Sequence, residues 1–315
     1  MNSPPPKPSS AREEGVSTAA QDHLPDLWIG IPDLVLSKPS ETWLNSKRVA
    51  GVILFRRNFQ DKKQLKDLCQ QIKFINPNIQ IGVDQEGGPV QRFTGEFTRL
   101  KSSEEIGSIY NLSAIAGLKA SEERGLIMAR ELKEVGIDLS FAPVIDLTHL
   151  GSNVLRGRTY HANPDVVAEL ALVEIKAMQS LGLTPVIKHF PGHGGVSADT
   201  HLEEAVDIRN LEIIIKTDLK PFKICIDQNI PALMASWVKY PGVDSMPACF
   251  SQIWLQEILR KKLNFQVKIF SDDMGMQAAK YFSSPKECIE KAKKAGCDYV
   301  LLCNDFNLID QVISE

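Results

Sequence analysis

Apolar runs of strand length alternate with longer amphipathic stretches along the chain from Leu24 onward. This alternation is typical of repeated βα units around a parallel sheet. We expect eight strands, at 27–31, 51–55, 79–83, 139–143, 185–189, 232–236, 267–271 and 299–303. Eight such units predict an α/β fold, a single (β/α)₈ barrel of the TIM type.

The intervals between these strands show helical periodicity. In 61–74, Leu65, Leu68, Cys69 and Ile72 recur at i, i+3, i+4 and i+7, which predicts one buried helix face. Similar patterns predict helices over 121–135, 164–181, 211–229, 251–263 and 285–295. A doubly wound open sheet is the alternative fold, but no GxGxxG motif follows the first strand.

Composition indicates where the folded domain begins and ends. The chain has 315 residues and is 43% hydrophobic, which is enough to bury one large core. Residues 1–23 are rich in Pro and Ser, so we expect a disordered tail before a barrel domain over 24–315. The tail lacks the apolar core of a secretory signal, and no apolar stretch reaches the roughly 18 residues of a membrane span.

Charge and cysteine usage exclude further classes of partner. The formal net charge is -3 and no basic stripe is present, so we expect no nucleic-acid partner. The six cysteines show no CxxC spacing, which predicts reduced core thiols and a cytoplasmic location. We expect a monomer that acts on a small molecule.

The segment 187–201, IKHFPGHGGVSADTH, is dense in groups that carry protons. These are Lys188, His189, His193, Asp199 and His201. Pro191 and three glycines disfavour a helix, so the pattern predicts a strand end followed by a polar loop. Loops on rigid scaffolds often carry catalytic residues, which favours a functional role over a solvated turn.

Acidic residues follow three other predicted strands at the same end. Asp84 follows the third strand, Asp146 the fourth, and Asp272 with Asp273 the seventh. The carboxyl ends of barrel strands lie on one face, where active sites of this fold are found. We therefore expect one shared site.

The residue types alone do not determine the role of each side chain. A carboxylate on a rigid strand tip can act as a nucleophile, so Asp272 is a candidate, although Asp272 or Asp273 can equally cap a following turn. Asp84 and Arg92 suit recognition of vicinal hydroxyls or of an anion. Arg158 reaches the same cleft or is an exposed surface arginine.

Several of these segments together carry a family resemblance. They are Asp84-Gln85-Glu86-Gly87-Gly88 with Arg92-Phe93, Phe141 to Asp146, Gly157-Arg158-Thr159-Tyr160, Lys188 to Gly194, Asp199-Thr200-His201 and Ser271-Asp272-Asp273. In this order they resemble glycoside hydrolase family 3, and more narrowly the bacterial β-N-acetylhexosaminidases of cell-wall recycling. The resemblance extends from about Leu27 to the end of the chain.

The resemblance implies a mechanism. Asp272 would be the nucleophile of a retaining β-N-acetylglucosaminidase, and His201, oriented by Asp199, would be its general acid/base. The residues implied to bind the terminal sugar are Asp84, Arg92, Arg158, Lys188 and His189. The implied substrates are N-acetylglucosaminyl-anhydromuramoyl peptides, and no metal or other cofactor is expected.

Two positions depart from the family pattern. Trp237 stands where many relatives have histidine before a Val-x-Tyr-Pro segment. The chain stops at Glu315, where relatives continue for another helix or more, which indicates a naturally short or truncated form.

Three other functions remain as alternatives. A metal-dependent barrel hydrolase would use His189, His193, Asp199 and His201 as ligands, although no HxH pair is present on a strand. A related β-glycosidase or phosphorylase would differ in its sugar or in using phosphate as the acceptor. A non-catalytic sugar-binding barrel would not need a nucleophile together with a proton donor.

Overall fold

The centre of the protein, in a computed structural model, is a parallel sheet. The structure describes residues 26–148, 155–196, 205–275 and 282–314. Its barrel strands are β1 (Leu27–Gly30), β2 (Val49–Leu54), β3 (Gln80–Val83), β4 (Leu139–Ser140), β5 (Thr184–Pro185 and Ile187–Phe190), β6 (Ala232–Ala235), β7 (Lys268–Asp273) and β8 (Tyr299–Leu302). All eight predicted strands are confirmed.

The sheet closes on itself through β5. The first piece of β5 pairs with β4 and the second with β6, and β3, β2, β1, β8 and β7 follow between them in parallel register. Only Val186 separates the two pieces, so the two ends of the sheet belong to one strand. This closure confirms the (β/α)₈ barrel. The open doubly wound alternative is wrong, because an open sheet has two free edges.

Large aromatic side chains fill the barrel interior. Trp28, Phe141 and Phe270 make edge-to-face contacts with one another, with centroids 5.3 to 5.9 Å apart. The rings need space from the neighbouring strand: a Cβ atom added at Gly51 would lie 2.3 Å from the Trp28 ring. Glycine in β2 therefore lets the tryptophan occupy the centre of the barrel.

Helices cover the outside of the barrel. They are α1 (Lys38–Leu44), α2 (Lys62–Ile75), α3 (Ser103–Leu112), α4 (Ala114–Glu134), α5 (Pro164–Ser180), α6 (Leu211–Lys216), α7 (Leu219–Ile226), a π-helix (Ile253–Lys262), α8 (Pro285–Ala295) and α9 (Phe306–Ser314). In α2, the predicted face of Leu65, Leu68, Cys69 and Ile72 is buried, and the Asp61 side chain caps the first turn.

Some helix predictions were wrong in extent. The helix expected over 211–229 is two helices separated by Thr217 and Asp218, and the Asp218 carboxylate binds Arg209. The helix expected from residue 121 begins at Ala114, where Ser113 caps it. Short helices α1, α3 and α9 were not predicted.

Other expectations concern cysteines, membranes and the tail. All six cysteines are buried free thiols, as predicted. Among the described helices, none has the length and apolar character needed to cross a membrane. The tail over 1–23 lies outside the described residues, so the division into tail and barrel domain stays a prediction.

Candidate active site

A cavity of about 410 Å³ lies at the carboxyl ends of the barrel strands. Six predicted site residues line it: Asp84, Arg92, Arg158, Lys188, His189 and Asp272. The structure therefore brings together side chains from β5, β7 and the segments that follow β3 and β4. Asp199 and His201 lie outside the described residues, and their placement stays a prediction.

A buried ionic cluster forms one wall of this cavity. The Lys188 ammonium, 2% exposed, contacts Asp84 Oδ1 at 2.7 Å and Glu86 Oε1 at 2.7 Å. Arg158 donates from Nε and Nη2 to the two Glu86 oxygens, both at 2.8 Å. Arg92 Nη2 contacts Asp84 Oδ2 at 3.3 Å. Each carboxylate is thus shared between two cations, which fixes its rotamer.

These cations keep both carboxylates ionised. Burial alone raises the pKa of Asp84, but Lys188 and Arg92 outweigh it and hold the pKa well below the ordinary value. Burial also raises the pKa of Glu86, and the opposing charges of Arg158 and Lys188 lower it to about 2. The cluster therefore stays charged across the neutral range and presents fixed acceptors and donors to a ligand.

A short hairpin places Arg92 beside this cluster. Gln85–Gly87 pairs with Val90–Gln91 in antiparallel register directly after β3. The Gln85 side chain, 2% exposed, accepts from the amides of Arg92 and Phe93 at 2.9 and 3.1 Å. The buried amide thus ties the backbone of Arg92 to the end of β3, and the arginine reaches Asp84 from a fixed position.

A second buried acid orients the histidines. Asp146, fully buried, has Oδ2 2.7 Å from His189 Nδ1, and its Oδ1 accepts from the His193 amide at 2.7 Å. Burial raises the pKa of Asp146, but His189 and His193 offset this and leave it below the ordinary value. An ionised carboxylate accepts only, so it favours the His189 tautomer with the proton on Nδ1. In the neutral ring, Nε2 of His189 is then an acceptor.

The two acids at the tip of β7 have different surroundings. Asp273 Oδ1 accepts from the amides of Gly275 and Cys303, both at 3.0 Å, and its Oδ2 accepts from Asn304 Nδ2 at 3.0 Å. Asp272 is half-buried, lines the cavity, and accepts from the Asp273 amide through Oδ1 at 2.8 Å. The sequence left open which of the two acids caps the following turn, and the structure shows that Asp273 does so.

Sequence reasoning missed two contributors. Glu86 was quoted only as part of a motif, and Asp146 only as an acid at a strand end, yet both are central to the ion pairs of the cavity. The available signal was their position after β3 and β4: Glu86 lies two residues beyond Asp84, and Asp146 lies at the same end of the barrel. His193 also lines the cavity and is 4% exposed, and burial lowers its pKa.

A parallel barrel with a charged, carboxylate-bearing cleft at its carboxyl face is the architecture of many glycoside hydrolases. Residues 28–315 match the Glycosyl hydrolase family 3 N terminal domain, and the chain belongs to this family. The β-hexosaminidase of Nitrosomonas eutropha is 43% identical over 290 residues, 92% of this chain and 83% of that protein. The chain is a glycoside hydrolase of the β-N-acetylhexosaminidase type.

Solved structures agree with this assignment. Native NagZ from Neisseria gonorrhoeae has a TM-score of 0.87 at 41% identity, covering 93% of this chain and 85% of that one. The same gonococcal protein in complex with N-trifluoroacetyl-D-glucosamine also gives 0.87 at 41% identity, over 92% of this chain and 84% of that one. The family resemblance found in the sequence is thereby confirmed.

The alternative of a metal-dependent hydrolase has a direct test. Within the described part of the chain, no group of three or more His, Cys, Asp or Glu side chains could hold a metal ion, but Asp199 and His201 lie outside it. We expect full activity after treatment with a chelator and removal of the chelate, measured with an aryl N-acetylglucosaminide, because carboxylate and imidazole chemistry needs no metal. Loss of activity that added Zn²⁺ restores would contradict this expectation.

Proposed function

We propose that the protein is a retaining β-N-acetylglucosaminidase that removes terminal N-acetylglucosamine from peptidoglycan-derived muropeptides. The observation that carries the proposal is the position of Asp272. Its carboxylate lines the same cavity as the cluster of Asp84, Glu86, Lys188 and Arg158, while Asp273 satisfies the neighbouring backbone. A nucleophile thus lies beside a set of fixed hydrogen-bonding groups suited to a sugar.

The proposed reaction has two steps. Asp272 attacks the anomeric carbon and displaces the aglycone, while His201 protonates the leaving oxygen. The result is a covalent glycosyl-enzyme. His201 then removes a proton from water, which attacks the same carbon and releases the sugar with its original configuration. Asp199 holds the imidazole in one tautomer and stabilises the imidazolium.

The ionic cluster accounts for binding of the terminal sugar in this proposal. Asp84 accepts hydrogen bonds from hydroxyls, and Lys188, Arg92 and Arg158 donate them. His189, with Nδ1 against Asp146, offers Nε2 as an acceptor toward the cavity. Because these groups are already paired with one another, a sugar meets them in fixed positions and little side-chain entropy is lost on binding.

Two kinds of comparison support the choice of sugar. Curated relatives at about two fifths identity are β-hexosaminidases, and a gonococcal relative has been solved with N-trifluoroacetyl-D-glucosamine, a 2-acylamino sugar. The muropeptide aglycone follows the resemblance of the sequence motifs, and the cytoplasmic location follows from the cysteine usage. Both belong to the proposal, together with the expected monomeric state. Phosphate in place of water as acceptor is the remaining variant of the chemistry.

Stereochemistry tests the proposal directly. We expect proton NMR of an N-acetylglucosaminide digest to show the β-anomer of N-acetylglucosamine first, because two displacements at one carbon retain configuration. The matched glucoside is expected to react at least about 10²-fold more slowly, since the site then lacks the 2-acetamido partner. An α-anomer formed first would contradict the retaining mechanism. A sugar 1-phosphate formed in phosphate buffer would assign the phosphorylase alternative.

A further inference from the structure

The backbone around Asp272 is held by side chains from outside the ionic cluster. We propose that Trp237 and Ser271 are positioning residues, which hold the tip of β7 so that the Asp272 carboxylate is aligned for nucleophilic attack. This proposal rests on the proposed role of Asp272 as nucleophile. It assigns a function to Trp237, the position where the sequence departs from the family pattern.

Ser271 acts on the peptide between Asp272 and Asp273. Its hydroxyl, fully buried, donates to the carbonyl oxygen of Asp272 at 2.8 Å and accepts from the Leu301 amide of β8 at 3.1 Å. The N–H of that same peptide donates to Asp272 Oδ1 at 2.8 Å. A peptide unit is planar, so the contact that fixes its C=O also fixes the direction of its N–H. Ser271 thereby sets the hydrogen bond that orients the carboxylate.

Trp237 acts on the next peptide. Its indole lies two residues beyond the end of β6 and is 6% exposed. Nε1 donates to the carbonyl oxygen of Asp273 at 3.0 Å, and the ring packs edge-on against Phe250 with centroids 5.0 Å apart. The contact joins the tip of β7 to the segment after β6. A rigid ring with one donor is well suited to fix a carbonyl at a set distance.

The opposite side of the tip is held by the segment that follows β8. The Asp273 carboxylate accepts from the Cys303 amide and from Asn304. Asp273 is therefore restrained at three points: Asp272 holds its amide, the segment after β8 holds its carboxylate, and Trp237 holds its carbonyl. The residue next to the nucleophile cannot rotate without breaking several buried hydrogen bonds, each costly to leave unmade.

The alignment of the nucleophile determines the rate of the reaction. A displacement of about 1 Å at the reacting atoms can cost on the order of 10²-fold in rate, while sugar affinity depends on other groups. Loss of the Trp237 or Ser271 contact is therefore expected to lower kcat and leave KM nearly unchanged. A merely structural contact would instead lower the melting temperature without changing the kinetics of the folded enzyme.

The chain offers a matched control for each residue. Trp43, also buried, donates from Nε1 to Asp310 Oδ1 at 2.9 Å between α1 and α9. Ser121, fully buried, donates to the carbonyl oxygen of Leu170 at 2.8 Å between α4 and α5. Both control residues lie in the helical layer, away from the cavity. On substitution Ser121 loses a hydrogen bond to a backbone carbonyl, as Ser271 does, and Trp43 loses an indole hydrogen bond whose acceptor is a carboxylate.

The test compares Trp237→Phe with Trp43→Phe and Ser271→Ala with Ser121→Ala, using an activated aryl N-acetylglucosaminide. We expect Trp237→Phe and Ser271→Ala each to lower kcat, and the single-turnover rate of aryl release, by about 10- to 100-fold, with KM within about two-fold of the parent. The two controls are expected to change kcat by less than about two-fold at a similar shift in melting temperature. Either site variant is sufficient if the other does not fold.

The results distinguish failure of the positioning role from failure of the proposed function. Site variants that behave like their controls overturn the inference, as does a raised KM at unchanged kcat, which would indicate a binding role. Asp272→Asn is measured in the same assay. If that variant keeps near-normal turnover, the proposed function itself fails; if it is inactive while Trp237→Phe and Ser271→Ala match their controls, only the positioning role fails.

Discussion

Replacing Asp272 by Asn is expected to lower kcat by roughly 10³- to 10⁵-fold while leaving the fold intact, because an amide of the same shape is a poor nucleophile and carries no negative charge. Asp272 is half-buried, and its hydrogen bond from the Asp273 amide can be accepted equally by an amide oxygen. The measurement is kcat for an aryl N-acetylglucosaminide, together with the thermal melting curve of the variant.

Asp273→Asn is the matched control for this experiment. The amide oxygen can still accept from Gly275 and Cys303, and only the hydrogen bond from Asn304 Nδ2 is lost. We expect kcat within about ten-fold of the parent and a lower melting temperature. Near-normal turnover of Asp272→Asn, or an equal loss in both variants, would contradict the assignment of the nucleophile.

Replacing His201 by Ala is expected to have a large effect that depends on the leaving group. Alkyl and sugar aglycones leave as strong bases and need a proton, so their turnover should fall by about 10²- to 10⁴-fold. Aryl leaving groups of low pKa depart as anions, so release of the first product from them should fall much less. The measurement is kcat/KM, which reports glycosylation, across a series of aryl N-acetylglucosaminides of increasing leaving-group pKa and a chitobiose-type disaccharide.

His161→Ala provides the control for this series. His161 is only partly buried, accepts from the Asn163 amide through Nδ1, and does not line the cavity. Its replacement should leave the dependence on leaving-group pKa unchanged. A uniform loss across the whole series in His201→Ala would indicate that His201 holds structure or substrate and is not the acid.

The barrel could be predicted because its strands are buried on both faces. Runs such as Val49–Leu54 and Ala232–Ala235 are almost wholly apolar, and their regular alternation with amphipathic helices leaves few other topologies. Helix limits were harder to predict. α1 has seven residues and α6 only six, too short for a periodic face to stand out, and the break at Asp218 depends on a contact with Arg209.

The residues that lie together in the site could be predicted in part from the sequence, but the pairs that they form could not. The positions of Asp84, Lys188 and Asp272 at strand ends indicated a common cleft, and the structure brings them to one cavity. The roles of Asp272 and Asp273 could not be separated from the sequence, since they depend on which side chain accepts from the Cys303 amide after β8. Glu86 pairs with both Lys188 and Arg158, and this too depends on the three-dimensional arrangement of the side chains.

The ammonium of Lys188 has three protons and a long flexible stem, and the ion pairs within the barrel determine how it can be used. It donates to Asp84 Oδ1 at 2.7 Å and forms an ion pair with Glu86 Oε1 at 2.7 Å, two carboxylates that lie two residues apart in the chain. In the proposed binding mode, this leaves a further proton for a hydroxyl of the sugar. The direction of that proton is therefore set by two carboxylates, and a residue of high conformational entropy becomes a donor with a single orientation.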